Sequence, residues 1–236
     1  MIAIDVGPPL NDEAMAHTDA AASAFQADYP GSEPFRFFQF QFGLDATGIT
    51  PQQSTQDASF GRKYISADKR QIVIFRRNGF IFSRLPPYEQ WASFRDEAKR
   101  LWEIYRSAVG PIPIVRFELR YINRINIPLA RPIHEFLNLY PEVPNNPDGS
   151  PRTINRAYMR VDSMLPDLPG YLIMQQAVLP PEKEGFASLA LDFDITCMTP
   201  QGATEEYVWD TLESARREKN LIFVSSLKPD FLETFR

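Results

Sequence analysis

The sequence predicts an α+β protein in which antiparallel β-sheets are covered by two long amphipathic helices. Many short segments have the alternating or wholly apolar pattern of strands and are separated by turn residues. Two longer segments repeat their apolar residues at helical spacing, and each follows a group of strands. Strand groups followed by helices are typical of the α+β class, since each helix buries its apolar stripe on a sheet face.

The N-terminal segment predicts a helix and carries an uneven charge. Asn11 or Asp12 can cap a helix that runs to about Gln26, and the Pro-Gly pair at 30–31 ends it. Residues 1–34 contain six acidic side chains and no basic one, whereas the rest of the chain holds 25 basic and 24 acidic residues. The acidic segment is either a solvated helix face or an arm that docks on a basic surface of this protein or of a partner.

A series of strands is expected next. The run FRFFQFQFGL from Phe35 alternates phenylalanine with glutamine, with a bulge expected near its start, and residues 47–59 read as a polar loop. FGRKYIS predicts another short strand. QIVIFRRNGFIFSRL predicts a hairpin through a two-residue type I′ turn at Asn78 and Gly79. Both strands have apolar residues at even and at odd positions, so we expect both faces of the hairpin to be covered.

A long amphipathic helix follows the hairpin. The Pro-Pro pair at 86–87 opens it and Gly110 ends it. Its apolar stripe consists of Tyr88, Trp91, Phe94, Ala98, Leu101, Trp102 and Tyr105.

The second half of the chain predicts a similar order of elements. A long strand, IVRFELRYINRINIP, precedes a short helix at 133–140 and a Pro/Asn/Gly loop at 141–151. Three strands, INRAYMRVDSML, GYLIMQQAVL and FASLALDFDITCM, lead to a helix that Thr204 can cap, and LIFVSSL is expected to close the sheet. Residues 1–110 and 111–236 thus read as two halves, each of strand, helix, three strands and helix, packed as one compact unit. This repeat rests on element order, because the halves share negligible letter identity.

Composition excludes several classes of function. The single cysteine, Cys197, rules out an internal disulfide framework and four-cysteine zinc sites, and two histidines leave little imidazole for metal chemistry. No cofactor is expected. With neither a signal peptide nor a membrane-length apolar run, a cytoplasmic protein is the simplest interpretation. The net charge of −5 argues against nucleic-acid binding by the overall field, although a local basic patch stays possible.

The long strand of the second half carries the candidate binding residues. Arg116, Arg120 and Arg124 share one parity and form a ladder suited to phosphate or carboxylate recognition. The alternative is that Asp192 and Asp194, which share the polar face of a later strand, neutralise these arginines across the sheet.

Two further features of these strands have competing interpretations. Asn123 lies on the apolar face of the long strand, where its amide either bridges irregular backbone or points into a ligand cavity. Glu118, Asp192 and Asp194 could instead hold a magnesium ion through oxygen ligands. Nucleophilic catalysis has no support, because no G-x-S-x-G or phosphate-loop pattern occurs.

Three segments resemble a sporadically distributed bacterial family of uncharacterised proteins: SRLPPYEQW, FRDEAKRLWEIY and LRYINRI. The matching residues are Ser83, Arg84, Leu85, Tyr88, Trp91 and the run from Arg120 to Ile125. The resemblance covers about residues 60–227, whereas the N-terminus departs from the family pattern. It implies no established activity. The family's patchy distribution favours conflict systems, such as phage defence or toxin–antitoxin modules, over central metabolism.

These observations predict a non-catalytic cytoplasmic binding or regulatory protein. It would be the immunity or sensor component of a mobile two-gene module, with a protein partner encoded nearby. The alternative is a metal-dependent phosphodiesterase or nuclease that uses Asp192 and Asp194. A homodimer without any ligand is a third interpretation.

Overall fold

The computed structural model describes residues 1–35, 38–45, 48–55, 60–87, 90–150, 152 and 157–235. For 38–45 and 48–55 the description covers the backbone. The chain divides into two compact units, Met1–Arg116 and Phe117–Arg236. The described part contains antiparallel sheet and four α-helices, so the α+β class is confirmed.

The described residues of the first unit form seven strands and two α-helices, and their main antiparallel ladder has the strand order β2-β5-β6-β7-β1. A separate pair, β3 and β4, forms a second antiparallel ladder. The elements are β1 (Ile2–Val6), α1 (Asp12–Ala21), β2 (Gly31–Phe35), β3 (Phe38–Asp45), β4 (Gly48–Thr55), β5 (Gly61–Ile65), β6 (Gln71–Arg76), β7 (Gly79–Arg84) and α2 (Trp91–Val109).

Aromatic rings fill the core of the first unit. The Phe75 ring lies 5.3 Å from that of Tyr105 on α2, and Phe80 lies 5.9 Å from Trp102, measured between centroids. These contacts join the β6–β7 hairpin to the apolar stripe of α2, as its periodicity predicted. Of that stripe, Tyr88 lies outside the described residues.

The predicted hairpin is confirmed, but its turn differs from the predicted one. Arg76 pairs with Gly79, so the two connecting residues are Arg77 and Asn78. Among the described non-glycine residues only Lys69 has a positive φ, which excludes a type I′ turn here. Gly79 instead has φ of +143° and lies against β1, where an added Cβ would be 2.0 Å from the carbonyl oxygen of Ile4. Glycine is therefore needed at this position because the backbones of β1 and β7 lie too close together for a side chain.

The acidic N-terminal segment is paired with basic residues of its own unit. Asn11 caps α1 by accepting a hydrogen bond from the backbone N–H of Ala14 at 2.9 Å. The ion pairs of the segment are Asp5 with Arg76 and Arg116, Asp12 with Arg77, Asp19 with Arg62, Asp28 with Arg100, and Glu33 with Lys63. These pairs match the interpretation in which the acidic segment docks on basic side chains of this protein.

The second unit contains a four-stranded antiparallel arrangement in the order β8-β11-β10-β9. Its elements are β8 (Ile114–Pro128), which begins at the end of the first unit, β9 (Tyr158–Leu165), β10 (Gly170–Leu179), β11 (Phe186–Met198), α3 (Glu205–Ser226) and α4 (Pro229–Leu232). Thr204 caps α3, since its hydroxyl accepts from the N–H of Tyr207 at 3.2 Å. The Phe193 ring on β11 meets Phe223 of α3 at 6.4 Å.

Three segments differ from their predicted structures. Residues 221–227, predicted as a strand, continue α3 to Ser226, because no Gly or Pro interrupts the helix after Asn220. The predicted helix at 133–140 is a 3₁₀ turn at Ile133–Glu135, since the following backbone bonds elsewhere: the N–H of Asn138 donates to the carbonyl of Ser226. The predicted loop at 47–59 contains β4, which pairs with β3 along its backbone.

None of the helices in the described ranges is long and apolar enough to span a membrane.

Candidate functional site

The predicted arginine ladder on β8 is paired with acidic groups. Arg120 holds Asp192 of β11 with two hydrogen bonds, from Nε to Oδ1 at 2.9 Å and from Nη2 to Oδ2 at 2.6 Å. Asp192 is buried. Bidentate geometry is the strongest form of such a pair, so Asp192 is committed to this guanidinium. The alternative interpretation, in which an aspartate neutralises the arginine across the sheet, therefore holds for Arg120.

The other two arginines of the ladder have different partners. Arg116 donates from Nε to Oδ2 of Asp5 at 2.9 Å, within the first unit. Arg124 donates to the carbonyl of Pro180 at 2.6 Å and pairs with Glu182 at 3.0 Å. All three guanidiniums share one parity of β8, but each has its own anionic partner, so a ligand anion would have to compete with protein carboxylates.

Asp194 and Glu118 lie beside the Arg120–Asp192 pair. Burial raises the pKa of Asp194, and the neighbouring Asp192 carboxylate adds to this, whereas the charge of Arg120 and hydrogen bonds with Glu118 and Thr196 act in the opposite direction. Within the described ranges, no group of three or more His, Cys, Asp or Glu side chains is arranged to hold a metal ion. The metal-dependent alternative stays a prediction.

Asn123 bridges backbone on the adjacent strand. Its Nδ2 donates to the carbonyl oxygen of Leu191 on β11 at 3.3 Å. This matches the backbone-bridging interpretation of an amide on an apolar face.

A cavity of about 230 Å³ opens elsewhere in the second unit. It lies between the ends of β8, β11 and β10 and the segment at 129–141. Its lining is mostly apolar and includes Ile127, Leu129, Ile133, Ala187 and Leu189. Sites for drug-sized ligands measure about 300–1,000 Å³, so a cavity of this size suits a smaller organic molecule.

One buried amide stands among these apolar side chains. Gln176 of β10 lines the cavity and is only 4% exposed. Its Nε2 donates to the carbonyl of Leu139 at 2.7 Å, which fixes the amide orientation, since a flipped amide would bring two oxygens together. Its Oε1 is buried and accepts no hydrogen bond from the described residues. An unpaired buried acceptor costs about 1–3 kcal/mol.

Two guanidinium groups belong to the same cavity. Arg131 and Arg152 both line it. Arg131 pairs with Glu135, with Nε 2.6 Å from the carboxylate, and lies over the Phe136 ring. Arg152 is exposed and has no ion-pair or hydrogen-bond partner among the described residues. The cavity therefore combines a mostly apolar lining with the guanidinium of Arg152, which pairs with none of the described residues.

Sequence reasoning missed Gln176, although the signal existed. It occupies the apolar parity of β10 with Leu172 and Val178, as Asn123 occupies the apolar parity of β8. A glutamine at such a position needs a partner in the interior.

Comparisons with known proteins add little to this geometry. The chain matches no protein-family model and no curated protein. Among solved structures it is similar, over 94% of both chains, to the di-domain ARO/CYC StfQ from the steffimycin biosynthetic pathway. The identity is 14% and the TM-score 0.25, a likeness that carries no argument about fold or function. The resemblance to the sporadic bacterial family stays a prediction.

Proposed function

We propose that this chain is a cytoplasmic, non-catalytic binding protein whose site is the apolar cavity beside Gln176. The observation that carries the proposal is an open apolar cavity of about 230 Å³ whose lining includes Arg152, a guanidinium that pairs with none of the described residues. Sites for small molecules are typically apolar concavities with a few polar groups that orient the ligand. Arg120 and Asp192, in contrast, already bind each other with two hydrogen bonds.

The lining selects a small organic acid with an apolar body. Ile127, Leu129 and Leu189 favour a hydrocarbon or aromatic framework, because its burial is driven by the hydrophobic effect. The guanidinium of Arg152 favours a carboxylate, which it can bind with two hydrogen bonds.

Naphthoic acids test this chemistry. We expect 6-hydroxy-2-naphthoic acid to bind the full chain with a dissociation constant on the order of 100 µM, the affinity usual for a ligand of this size. 2-Naphthol, which lacks the carboxylate, is expected to bind several-fold more weakly. Titration followed by ligand fluorescence and calorimetry measures both constants.

Two alanines of β11 provide matched variants. Ala187 lines the cavity and Ala190 does not, although both are half-buried on the same strand. Ala187→Leu is expected to weaken binding at least about tenfold, because its side chain occupies ligand space, whereas Ala190→Leu leaves it unchanged. Arg152→Gln is expected to weaken the binding of the acid but to leave the binding of 2-naphthol unchanged. Equal binding by both leucine variants would reject the cavity as the site, and no binding by the wild-type chain at millimolar acid would reject the proposal.

The regulatory role is a further part of the proposal. A sensor or immunity component of a two-gene module would couple ligand occupancy to a partner protein encoded nearby. The proposed repeat of two halves has its support in α2 and α3, which each follow a group of strands, whereas six strands lie between α1 and α2 and a 3₁₀ turn stands in place of the first helix of the second half.

A further inference from the structure

The edge strand of the second unit is unusually exposed. β9 is the last strand in its sheet, and seven of its eight residues lie at least partly in solvent. Tyr158 is 63% exposed, Val161 38% and Met164 77%. The strand has no proline, lysine or bulge along its ladder with β10, and its two charged residues, Arg160 and Asp162, have opposite signs and can complement those of a second strand. The edge strand of the first unit, β2, is shorter and contains Pro34.

The backbone polarity of β9 follows from one hydrogen bond. The N–H of Val178 donates to the carbonyl of Ala157 at 3.1 Å, and these residues continue the register in which Val161 faces Met174. Odd-numbered residues of β9 therefore direct their N–H and C=O groups to β10, and even-numbered residues direct theirs outward. The outward set is Tyr158, Arg160, Asp162 and Met164.

We propose that β9 pairs with β9 of a second copy of this chain, antiparallel about a two-fold axis through Val161. In that register Arg160 faces Asp162 of the second copy, and Tyr158 faces Met164. These are all outward residues, so each pair exchanges both backbone hydrogen bonds. Directly opposite side chains lie on one face, where opposite charges and apolar neighbours stabilise the pairing.

Neighbouring registers are disfavoured by charge. An axis through Arg160 would place two arginines opposite each other, and an axis through Asp162 would do the same with two aspartates. Within one chain, Arg160 holds Asp162 through Nε at 2.8 Å, two residues along the same strand. In the dimer, Arg160 of each copy pairs instead with Asp162 of the other copy, so neither charge is left without a partner.

Charge-swap variants of the full chain test the pairing by sedimentation equilibrium. Wild type is expected to form a dimer at micromolar to tens of micromolar concentration. Arg160→Asp and Asp162→Arg, each alone, place like charges opposite each other twice per dimer, and each is expected to raise the dissociation constant at least about tenfold. An equimolar mixture of the two single variants restores complementary pairs and is expected to form a heterodimer. The double variant is expected to dimerise like wild type, and the surface control Arg95→Asp is expected to have no effect.

Hydrogen exchange gives a second readout that separates this pairing from any other dimer. The outward amides of Arg160 and Asp162 are expected to exchange slowly in wild type and rapidly in Arg160→Asp, while the amide of Val161, bonded to β10, stays protected in both. A wild-type chain that is monomeric at 200 µM, or a dimer that both single variants leave intact, would overturn the proposal.

Discussion

Arg120→Met is expected to lower the free energy of unfolding by about 2–3 kcal/mol at pH 7. Methionine keeps much of the aliphatic stem but removes the guanidinium that satisfies both oxygens of Asp192. Breaking a buried pair leaves an uncompensated carboxylate and costs roughly 3–5 kcal/mol. The Arg120 side chain is 36% exposed, so water screens part of this cost. Urea denaturation measures the loss.

Two variants show whether the loss comes from the stranded carboxylate. Arg124→Met removes an arginine of the same strand and parity whose partner, Glu182, is half exposed, and it is expected to cost under about 1 kcal/mol. Arg120→Met combined with Asp192→Leu removes both charges and is expected to recover most of the stability. If the double variant is no more stable than Arg120→Met, the carboxylate is not the cause.

The loss in Arg120→Met is also expected to depend on pH. Burial already places the pKa of Asp194 above its unfolded value, and Arg120 partly offsets that rise. A carboxyl group with a raised folded pKa contributes its stability below the unfolded pKa and loses it as the pH rises through the folded pKa. Without Arg120 the pKa of Asp194 rises further. The difference in the free energy of unfolding between Arg120→Met and wild type should therefore be largest near pH 7 and shrink below about pH 4.

Phe75→Ala is expected to destabilise the first unit by about 3–5 kcal/mol. The Phe75 ring is fully buried and lies within 6.2 Å, between centroids, of four other rings: Phe25, Tyr64, Phe80 and Tyr105. Alanine leaves a cavity that these rings can fill only in part. Phe75→Leu keeps most of the volume and should cost about 1–2 kcal/mol.

Tryptophan fluorescence can assign this loss to the first unit. The chain has three tryptophans, and Trp209→Phe leaves only Trp91 and Trp102, both on α2. In that background the denaturation curve reports the first unit. Phe235→Ala, at a half-exposed ring, serves as the control with an expected cost under about 1 kcal/mol. A loss under 1 kcal/mol in Phe75→Ala would contradict the packing described for Phe75.

The sequence predicted elements wherever local patterning dominated. The β6–β7 hairpin, with two apolar runs around Asn78 and Gly79, is present, and so are α2 and the long β8 strand, which have strong periodicity. Residues 221–227 were wrongly predicted because a short apolar run suits both a strand and a helix, and continuity with α3 decided the outcome. The hairpin turn was wrong for a different reason. Gly79 is required by the approach of β1, which no local pattern reveals.

The candidate site was predictable only in part. Parity placed Arg116, Arg120 and Arg124 on one face of β8, but their different partners depend on strand order, which the sequence does not state. The reasoning that singled out Asn123 applies equally to Gln176. The cavity beside Gln176 depends on how the segment at 129–141 lies against the strands, and that is set by long-range contacts such as the bond to Leu139.

The pairing of β1 also bears on the order in which the first unit folds. The two strands of the β6–β7 hairpin are joined by two residues. In contrast, β1 lies at the N-terminus and is separated from β7 by a long stretch of sequence, although Ile2 pairs with Phe82. Forming that contact requires the closure of a long loop, so the hairpin can offer an edge before β1 occupies it. Interactions absent from the transition state govern the unfolding rate. The buried side chains of Ile2 and Ile4 would thus determine how long the folded unit persists more than how quickly it forms.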